Sequence, residues 1–167
     1  MLKAMNEKPN IVNFIDERAS EKLHLVLRGH LYLEYLLNEI VDKKTDNPTA
    51  LQSLNFGFYK KVKYLLAIGV IDDQFSELLL FFNSIRNSYA HKLHYDLDFD
   101  VVFELVSKAS AAGVDFSDET IFQDRALSKE WYGTFGVLHE VISNTFQDLV
   151  WQNEDIFTQD EISEFLG

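Results

Sequence analysis

Three polar residues stand close together in the stretch SIRNSYAHKL, residues 84–93, directly after the apolar run FSELLLFFN. They are Arg86, Asn87 and His91. A guanidinium binds oxyanions through its forked N–H groups, and an imidazole exchanges a proton near neutral pH. The stretch is therefore either the polar end of a helix or a site that binds an anion and moves a proton.

Two polar residues interrupt the apolar side of the helix predicted over residues 16–43. His30 and Glu34 fall within about 20° of the centre of its stripe, at about 100° per residue. Arg86 occupies the centre of the core stripe of its own helix, and such side chains are costly to bury alone. We expect Glu34 to pair with Arg86, directly or through His30, unless the stripes rotate towards solvent. The apolar members of the first stripe are Leu23, Leu27, Leu37 and Val41.

Asn87 and His91 are four residues apart and share one helix face, about 120–160° away from the apolar stripe. Leu80, Ser84 and His94 lie near them on that face. A helix with a core stripe and a second, mixed polar face often meets another element or another subunit there. The alternative is an ordinary helix end with a solvated histidine.

A metal centre is the other chemistry that this region suggests. His91 and His94 are three residues apart, and Asp96 and Asp98 follow. The chain has no cysteine, and no further histidine is placed to complete a coordination sphere. We predict no metal and no cofactor. The serines form no nucleophile elbow, and the sequence has no glycine-rich phosphate loop.

The sequence on both sides of this stretch has the composition and the apolar periodicity of helices. Two prolines and seven glycines among 167 residues suit long helices, and no segment alternates like a strand. Beyond the first helix, the pattern predicts helices over residues 49–68, 73–93 and 98–112, a long helix from Ser128, and a short one opened by a Thr158–Glu161 capping box. The predicted core side of the long helix is Trp131, Phe135, Leu138, Ile142, Phe146 and Leu149.

The predicted architecture is an all-α bundle with short connections in a single domain, residues 1–167. We divide it into a core over residues 16–112 and an acidic extension over residues 113–167 that carries the long helix. Residues 1–97 hold 12 Lys/Arg and 12 Asp/Glu, whereas residues 98–167 hold 3 and 15, which gives the whole net charge of −12. This surplus argues against general nucleic-acid binding by the C-terminal part.

A local basic region remains in the first half of the chain. Lys60, Lys61 and Lys63 are close together there, and Arg86 and Lys92 follow. The N-terminal sequence MLKAMNEKPNIVNF lacks the apolar core of a signal peptide, and no apolar run reaches membrane-spanning length. The lack of cysteine fits a reducing compartment. We therefore expect a cytoplasmic protein with no membrane partner.

Residues 86–91, RNSYAH, resemble the R-(polar)-xxx-H signature of the HEPN superfamily. Three segments in order resemble its mannitol-operon-repressor-like branch: DERASEKLHLVLRGHLYLEYLLNEIV, then FYKKVKYLLAIGVIDDQFSELLLFFNSIRNSYAHKL, then DFDVV. The likeness covers residues 16–102, with LLAIGVI as a looser match to the LAxxLGxI segment of that branch. The chain from Phe103 onward shows no resemblance that we can name.

The resemblance implies a HEPN-like antiparallel helical bundle that forms a homodimer and, in active members, cleaves RNA without metal. Two copies bring their motif helices together, with Arg86, Asn87 and His91 as the catalytic residues in a shared cleft. A 2′-hydroxyl would attack the adjacent phosphate, with His91 as the base and Arg86 stabilising the phosphate charge. The supporting residues would be Glu34, His30, Tyr89 and His94. The RNA-binding residues would be Lys60, Lys61, Lys63 and Lys92.

The spacing of the motif constrains this chemistry. Five residues place Arg86 and His91 about 140° apart on a regular helix. Either the helix is distorted near Asn87, or the site is completed across a dimer. The resemblance places such an enzyme in a toxin–antitoxin or phage-defence setting.

A second function stays open, because some members of this branch act by binding partners. The chain would then be a non-catalytic regulatory module that binds a protein partner or antitoxin. The acidic C-terminal part suits a basic partner better than it suits RNA.

Overall fold

The computed structural model describes residues 21–92 and 95–167, apart from the side chain of Gln52. All regular elements within these ranges are helices, as the sequence predicts. They are α1 (Glu21–Lys44), α2 (Pro48–Gln52), α3 (Phe58–Ala67), α4 (Asp73–His91), α5 (Phe99–Ala111), α6 (Thr120–Gln123), α7 (Arg125–Trp131), α8 (Gly133–Gln152) and α9 (Gln159–Leu166), with a 3₁₀ turn at Glu154–Ile156.

The helix predicted over residues 49–68 is two helices. After α2 the chain turns at Asn55, which takes the left-handed conformation with φ of 50°. Asparagine tolerates this region better than most residues. Gly57 then begins α3 as its N-cap. The start predicted at residue 16 for the first helix lies outside the described residues, and α1 ends at Lys44, one residue beyond the prediction.

A helical hairpin positions the motif helix. Gly69 has φ of 75°, and the Val70 amide donates to the Leu65 carbonyl across the end of α3, so Gly69 ends this helix in the left-handed conformation. Asp72 caps α4, because its carboxylate accepts from the Phe75 amide at 2.8 Å. The two helices are antiparallel, so the beginning of α3 lies beside the second half of α4.

The long helix predicted from Ser128 is broken. Gly133 has φ of 63°, which separates α7 from α8. The break changes the phase of the helical stripe, and the prediction that Trp131 and Phe135 lie in the core is wrong: they are 58% and 43% exposed. The residues between the helix predicted to end at 112 and the helix predicted to begin at Ser128 contain α6 and the beginning of α7, whose cap Asp124 accepts from the Ala126 and Leu127 amides. The predicted Thr158–Glu161 capping box is confirmed.

The centre of the bundle is formed by α1, α5 and α8. The helix α8 packs against both α1 and α5, while α4 packs against α3, α5 and α1. The core includes Leu36, Leu37, Leu105, Leu138 and Leu149, all fully buried. The helix α8 is therefore an inner element of the same bundle and not an appendage to residues 16–112. No helix in the described ranges is long and apolar enough to cross a membrane.

Candidate functional site

Polar side chains from three helices meet where α1 crosses the α3–α4 hairpin. Burial of this many polar groups requires that they form hydrogen bonds or ion pairs with one another. We refer to these residues as the polar cluster: His30 and Glu34 from α1, Lys61 from α3, and Asn83, Arg86 and Asn87 from α4.

His30 is the most deeply placed member of the polar cluster, with 5% of its surface exposed. Its Nε2 atom forms a hydrogen bond with Oδ1 of Asn83 at 2.9 Å. Its ring stacks on Phe58, with centroids 4.3 Å apart, and lies tilted beside Phe82. The imidazole therefore ties α1 to both helices of the hairpin.

Glu34 pairs with Lys61 and not with Arg86. The Lys61 ammonium donates to Oε1 of Glu34 at 2.7 Å, although Lys61 is only 8% exposed. Oε2 of Glu34 lies 4.0 Å from Nδ1 of His30. The direct Glu34–Arg86 ion pair expected from the sequence is therefore absent from the described residues, because the neighbouring helix α3 supplies the counter-ion. His30 lies within the electrostatic influence of both Glu34 and Arg86.

Arg86 is half-buried on α4, and its hydrogen-bond partner is the amide of the next residue. Its guanidinium donates to Oδ1 of Asn87 at 3.2 Å. Among the described residues no carboxylate lies within ion-pair distance of Arg86. The Asn87 amide is neutral, so the positive charge of Arg86 is oriented but not neutralised.

The polar face of α4 is longer than the sequence motif. Asn83, Asn87 and His91 follow one another at four-residue intervals, and Asn83 is the member that sequence reasoning missed. Its spacing from Asn87 was the available signal. The helix remains regular through Asn87 to His91, and the Lys92 amide still donates to the Ser88 carbonyl. A distortion that would bring Arg86 and His91 to one side is therefore excluded.

His91 is exposed at the last turn of α4. The structure gives Tyr89 a structural role: its hydroxyl accepts from the Leu97 amide at 3.3 Å, and its ring meets Tyr95 edge-on at 4.7 Å. These contacts hold Tyr95 and Leu97 against α4. His94, predicted as a supporting residue, lies outside the described residues.

The predicted RNA-binding lysines divide into two groups. Lys60, Lys63 and Lys92 are exposed, with ammonium groups near the Leu54 carbonyl, the Tyr59 ring and the Tyr95 ring respectively. Lys61 is buried and paired with Glu34, so its assignment as an RNA-binding residue is corrected. It falls on the apolar stripe of α3 with Phe58, Val62 and Leu65, and that placement was the signal for burial.

The titration of His30 follows from its place in the polar cluster. Burial lowers the pKa of His30 below the ordinary value of 6.5. The hydrogen bond to Oδ1 of Asn83 and the charge of Glu34 raise this pKa, and the charges of Arg86 and Lys61 lower it further. Because the net shift is downward, the folded protein resists protonation of a ring that the unfolded chain protonates readily.

Stability is expected to depend on pH through His30. Its contribution is complete above pH 6.5, the unfolded value, and is lost as the pH falls through the lower folded pKa. Urea unfolding from about pH 8 to pH 5 should show this decline in wild type and a flatter profile in His30→Gln. Hydrogen bonds with Tyr132 and Lys43 lower the pKa values of Asp118 and Glu161 respectively below the ordinary carboxyl values. These two groups therefore affect stability only at lower pH. Parallel profiles for the two proteins would contradict the expectation.

Comparison with known proteins adds nothing to this geometry. No protein-family model matches the sequence, and no curated protein or solved structure matches it significantly. Within the described parts of the chain, no three His, Asp or Glu side chains are grouped so that they could hold a metal ion. The α4 motif and its surroundings are therefore the features of this chain that point to a function.

Proposed function

We propose that the chain is a HEPN-type, metal-independent endoribonuclease in which Arg86 binds the scissile phosphate and His91 acts as the base. The observation that carries the proposal is the state of the Arg86 guanidinium. It is held by the neutral Asn87 amide, while Glu34, the nearby acid that would neutralise it, is taken by Lys61. A guanidinium that is oriented but not neutralised is suited to stabilise the second negative charge that develops on the phosphate oxygens in the transition state.

The reaction follows from these residue types. The 2′-hydroxyl oxygen of a ribose attacks the adjacent phosphorus, and His91 accepts the hydroxyl proton. The bond from phosphorus to the 5′-oxygen breaks, and that oxygen takes a proton from a protonated imidazole or from water. The products are a 2′,3′-cyclic phosphate end and a 5′-hydroxyl end. Arg86 stabilises the charge that builds on the non-bridging oxygens, and Asn87 orients the guanidinium.

The site requires two copies of the chain. Because α4 is regular, Arg86 and His91 of one copy lie about 140° apart and do not converge on one phosphate. Contact between two α4 helices through the side that carries Asn87, which lies between Arg86 and His91 around the helix, would bring Arg86 of each copy towards the partner's His91. The exposed Lys60, Lys63 and Lys92 would attract the RNA backbone to this end of the bundle.

The test is cleavage of single-stranded RNA or tRNA by the purified protein in EDTA. Wild type should cut and leave cyclic phosphate ends, whereas His91→Ala should cut no faster than the buffer. His139→Ala, an exposed histidine on α8, is the matched control and should retain cleavage. Equal cutting by His91→Ala, or loss of cutting on addition of EDTA, would reject the proposal.

The second candidate function is a non-catalytic module that binds a protein partner. The observation that favours it is the exposed apolar side of α1, where Leu31 is 65% exposed and Tyr32 and Tyr35 are each 54% exposed. Side chains of this kind are enriched at interfaces. The RNA assay separates the two functions, because a binding module leaves the RNA intact in wild type as well as in His91→Ala.

A further inference from the structure

A groove follows the line of contact between α1 and α8 on the outside of the bundle. Gly29 of α1 faces Ile142 of α8 so closely that a Cβ atom at Gly29 would lie 2.8 Å from Cδ1 of Ile142. Tyr32 and Ser143 line the middle of the groove. Residues further along α1 lie beside residues further along α8, so the two helices run in the same direction.

The groove is apolar and open. Leu31 is 65% exposed, Tyr32 and Tyr35 are each 54% exposed, and Phe135 is 43% exposed. Together these side chains leave about 400 Å² of apolar surface in water, since an aromatic side chain presents about 150–250 Å². A standard interface buries about 800 Å² on each partner, of which about 450 Å² is non-polar. The groove and the adjoining Leu31, which lies on the outer side of α1 beside Arg28, Tyr32 and Tyr35, together offer close to the apolar area that one half of a standard interface contains.

Opposite charges stand at the two ends of the groove. Arg28 lies at the end lined by Phe135 and His139, with its guanidinium 5.9 Å from the centroid of the Tyr32 ring, and Glu21 lies beyond it at the same end. Glu164 lies at the other end, beside Phe165 of α9, and has no hydrogen-bond or ion-pair partner in the described parts of the chain. Tyr32, in the middle, lines both halves of the groove. A rotation of 180° about an axis through the middle would therefore exchange a cation for an anion.

We propose that this groove is a contact between two copies of the chain, related by a two-fold axis near Tyr32. An isologous interface requires a patch that is complementary to itself, and the order of cation, aromatic centre and anion satisfies that requirement. In the pair, Arg28 of each copy faces the partner's Glu164, and Phe135 of each copy covers the partner's Phe165. The two salt-linked ends and the shared aromatic centre fix the register of the contact.

This contact is separate from the proposed RNA-cleaving site. On α1, His30 faces α3 and α4, whereas Arg28, Leu31 and Tyr32 face outward. The inference therefore does not rest on the RNA-cleaving site. The groove alone gives two copies, and the groove together with an α4 contact closes at four where the two two-fold axes cross at right angles.

A charge-swap experiment tests the pairing. The molar mass of the full chain is measured by size exclusion with light scattering at about 0.15 M salt. Arg28→Glu and Glu164→Arg should each halve the wild-type mass, because each places like charges across the two-fold axis. The double variant Arg28→Glu/Glu164→Arg should restore the wild-type mass, because opposite charges face one another again. Only a contact between identical chains predicts that rescue.

The matched control is Lys129→Glu, which changes the net charge as Arg28→Glu does but at an exposed position on α7. It should keep the wild-type mass, and circular dichroism should show an unchanged helical content in all four variants. The proposal is overturned if wild type is a single chain, or if Arg28→Glu keeps the wild-type mass. It is also overturned if the double variant stays dissociated, which would mean that another segment or protein occupies the groove.

Discussion

A mixture of Arg86→Ala and His91→Ala chains should regain about a quarter of wild-type RNA cleavage, although each variant alone loses about 10²–10³-fold. In the proposed site, loss of Arg86 would remove the cation that stabilises the phosphate, and loss of His91 would remove the base. The recovery depends on where the two residues meet. If one site combines Arg86 of one copy with His91 of the other, a mixed dimer contains one intact site.

The expected level follows from random exchange of subunits. About half of the dimers are mixed, and each mixed dimer has one working site of two, which gives about a quarter of the wild-type rate. A site built within one chain predicts no recovery, because neither variant has both residues. The regular path of α4 from Arg86 to His91 favours the first outcome.

The experiment needs co-expressed chains with different tags, so that mixed dimers can be isolated, and the isolated mixed dimers should show about half of the wild-type rate. The control is Arg86→Ala co-expressed with the double variant Arg86→Ala/His91→Ala, which assembles in the same way but has no arginine at this position. Recovery in that control would show contamination and not complementation. No recovery in either sample, with wild type active, would place the site within one chain.

Local sequence patterns predicted the helices and most of their ends. Asp72, Gly69 and the Thr158–Glu161 capping box act through neighbours two to five residues away, so the sequence contains all the information that they need. Gly133 was the exception. A glycine inside an apolar helical pattern is compatible with either a continuous helix or a left-handed break, and the surrounding packing decides.

The composition of the polar cluster was only partly predictable. His30, Glu34 and Arg86 stood out because they interrupt apolar stripes, and all three lie in the cluster. Their partners depend on how far α3 is rotated about its own axis, which periodicity does not specify. That rotation directs Lys61 inward to Glu34 and leaves Asn87 as the partner of Arg86.

Glu34→Ala should destabilise the fold by about 2–3 kcal/mol, the largest effect expected from any one change in the polar cluster. Removal of one partner from a buried ion pair costs about 3–5 kcal/mol, because the remaining charge is left unpaired. The side chain of Lys61 is 10% exposed and has little access to water, whereas Glu34 is 29% exposed. The partial exposure of Glu34 reduces the expected loss below the fully buried value.

Lys61→Met provides the matched control, because it removes the other half of the same pair. Methionine fills much of the same volume, and the exposed side of Glu34 can be hydrated, so the loss should stay under about 1 kcal/mol. Urea unfolding of the two variants and wild type at pH 8, where His30 is neutral in both states, measures the difference. Equal losses would show that water reaches Lys61 as readily as Glu34.

Glu34→Ala also separates an effect on the stability of the fold from an effect on the rate of RNA cleavage. Because Glu34 neutralises Lys61 and not Arg86, the folded fraction of Glu34→Ala should keep the wild-type rate of RNA cleavage. A Glu34 that acted on Arg86 would instead alter the rate, because its removal would change the charge available to the phosphate. Cleavage measured well below the midpoint of thermal unfolding distinguishes these cases. The buried pair then acts on the fold of α1 against α3, while the guanidinium on α4 stays free to bind an anion.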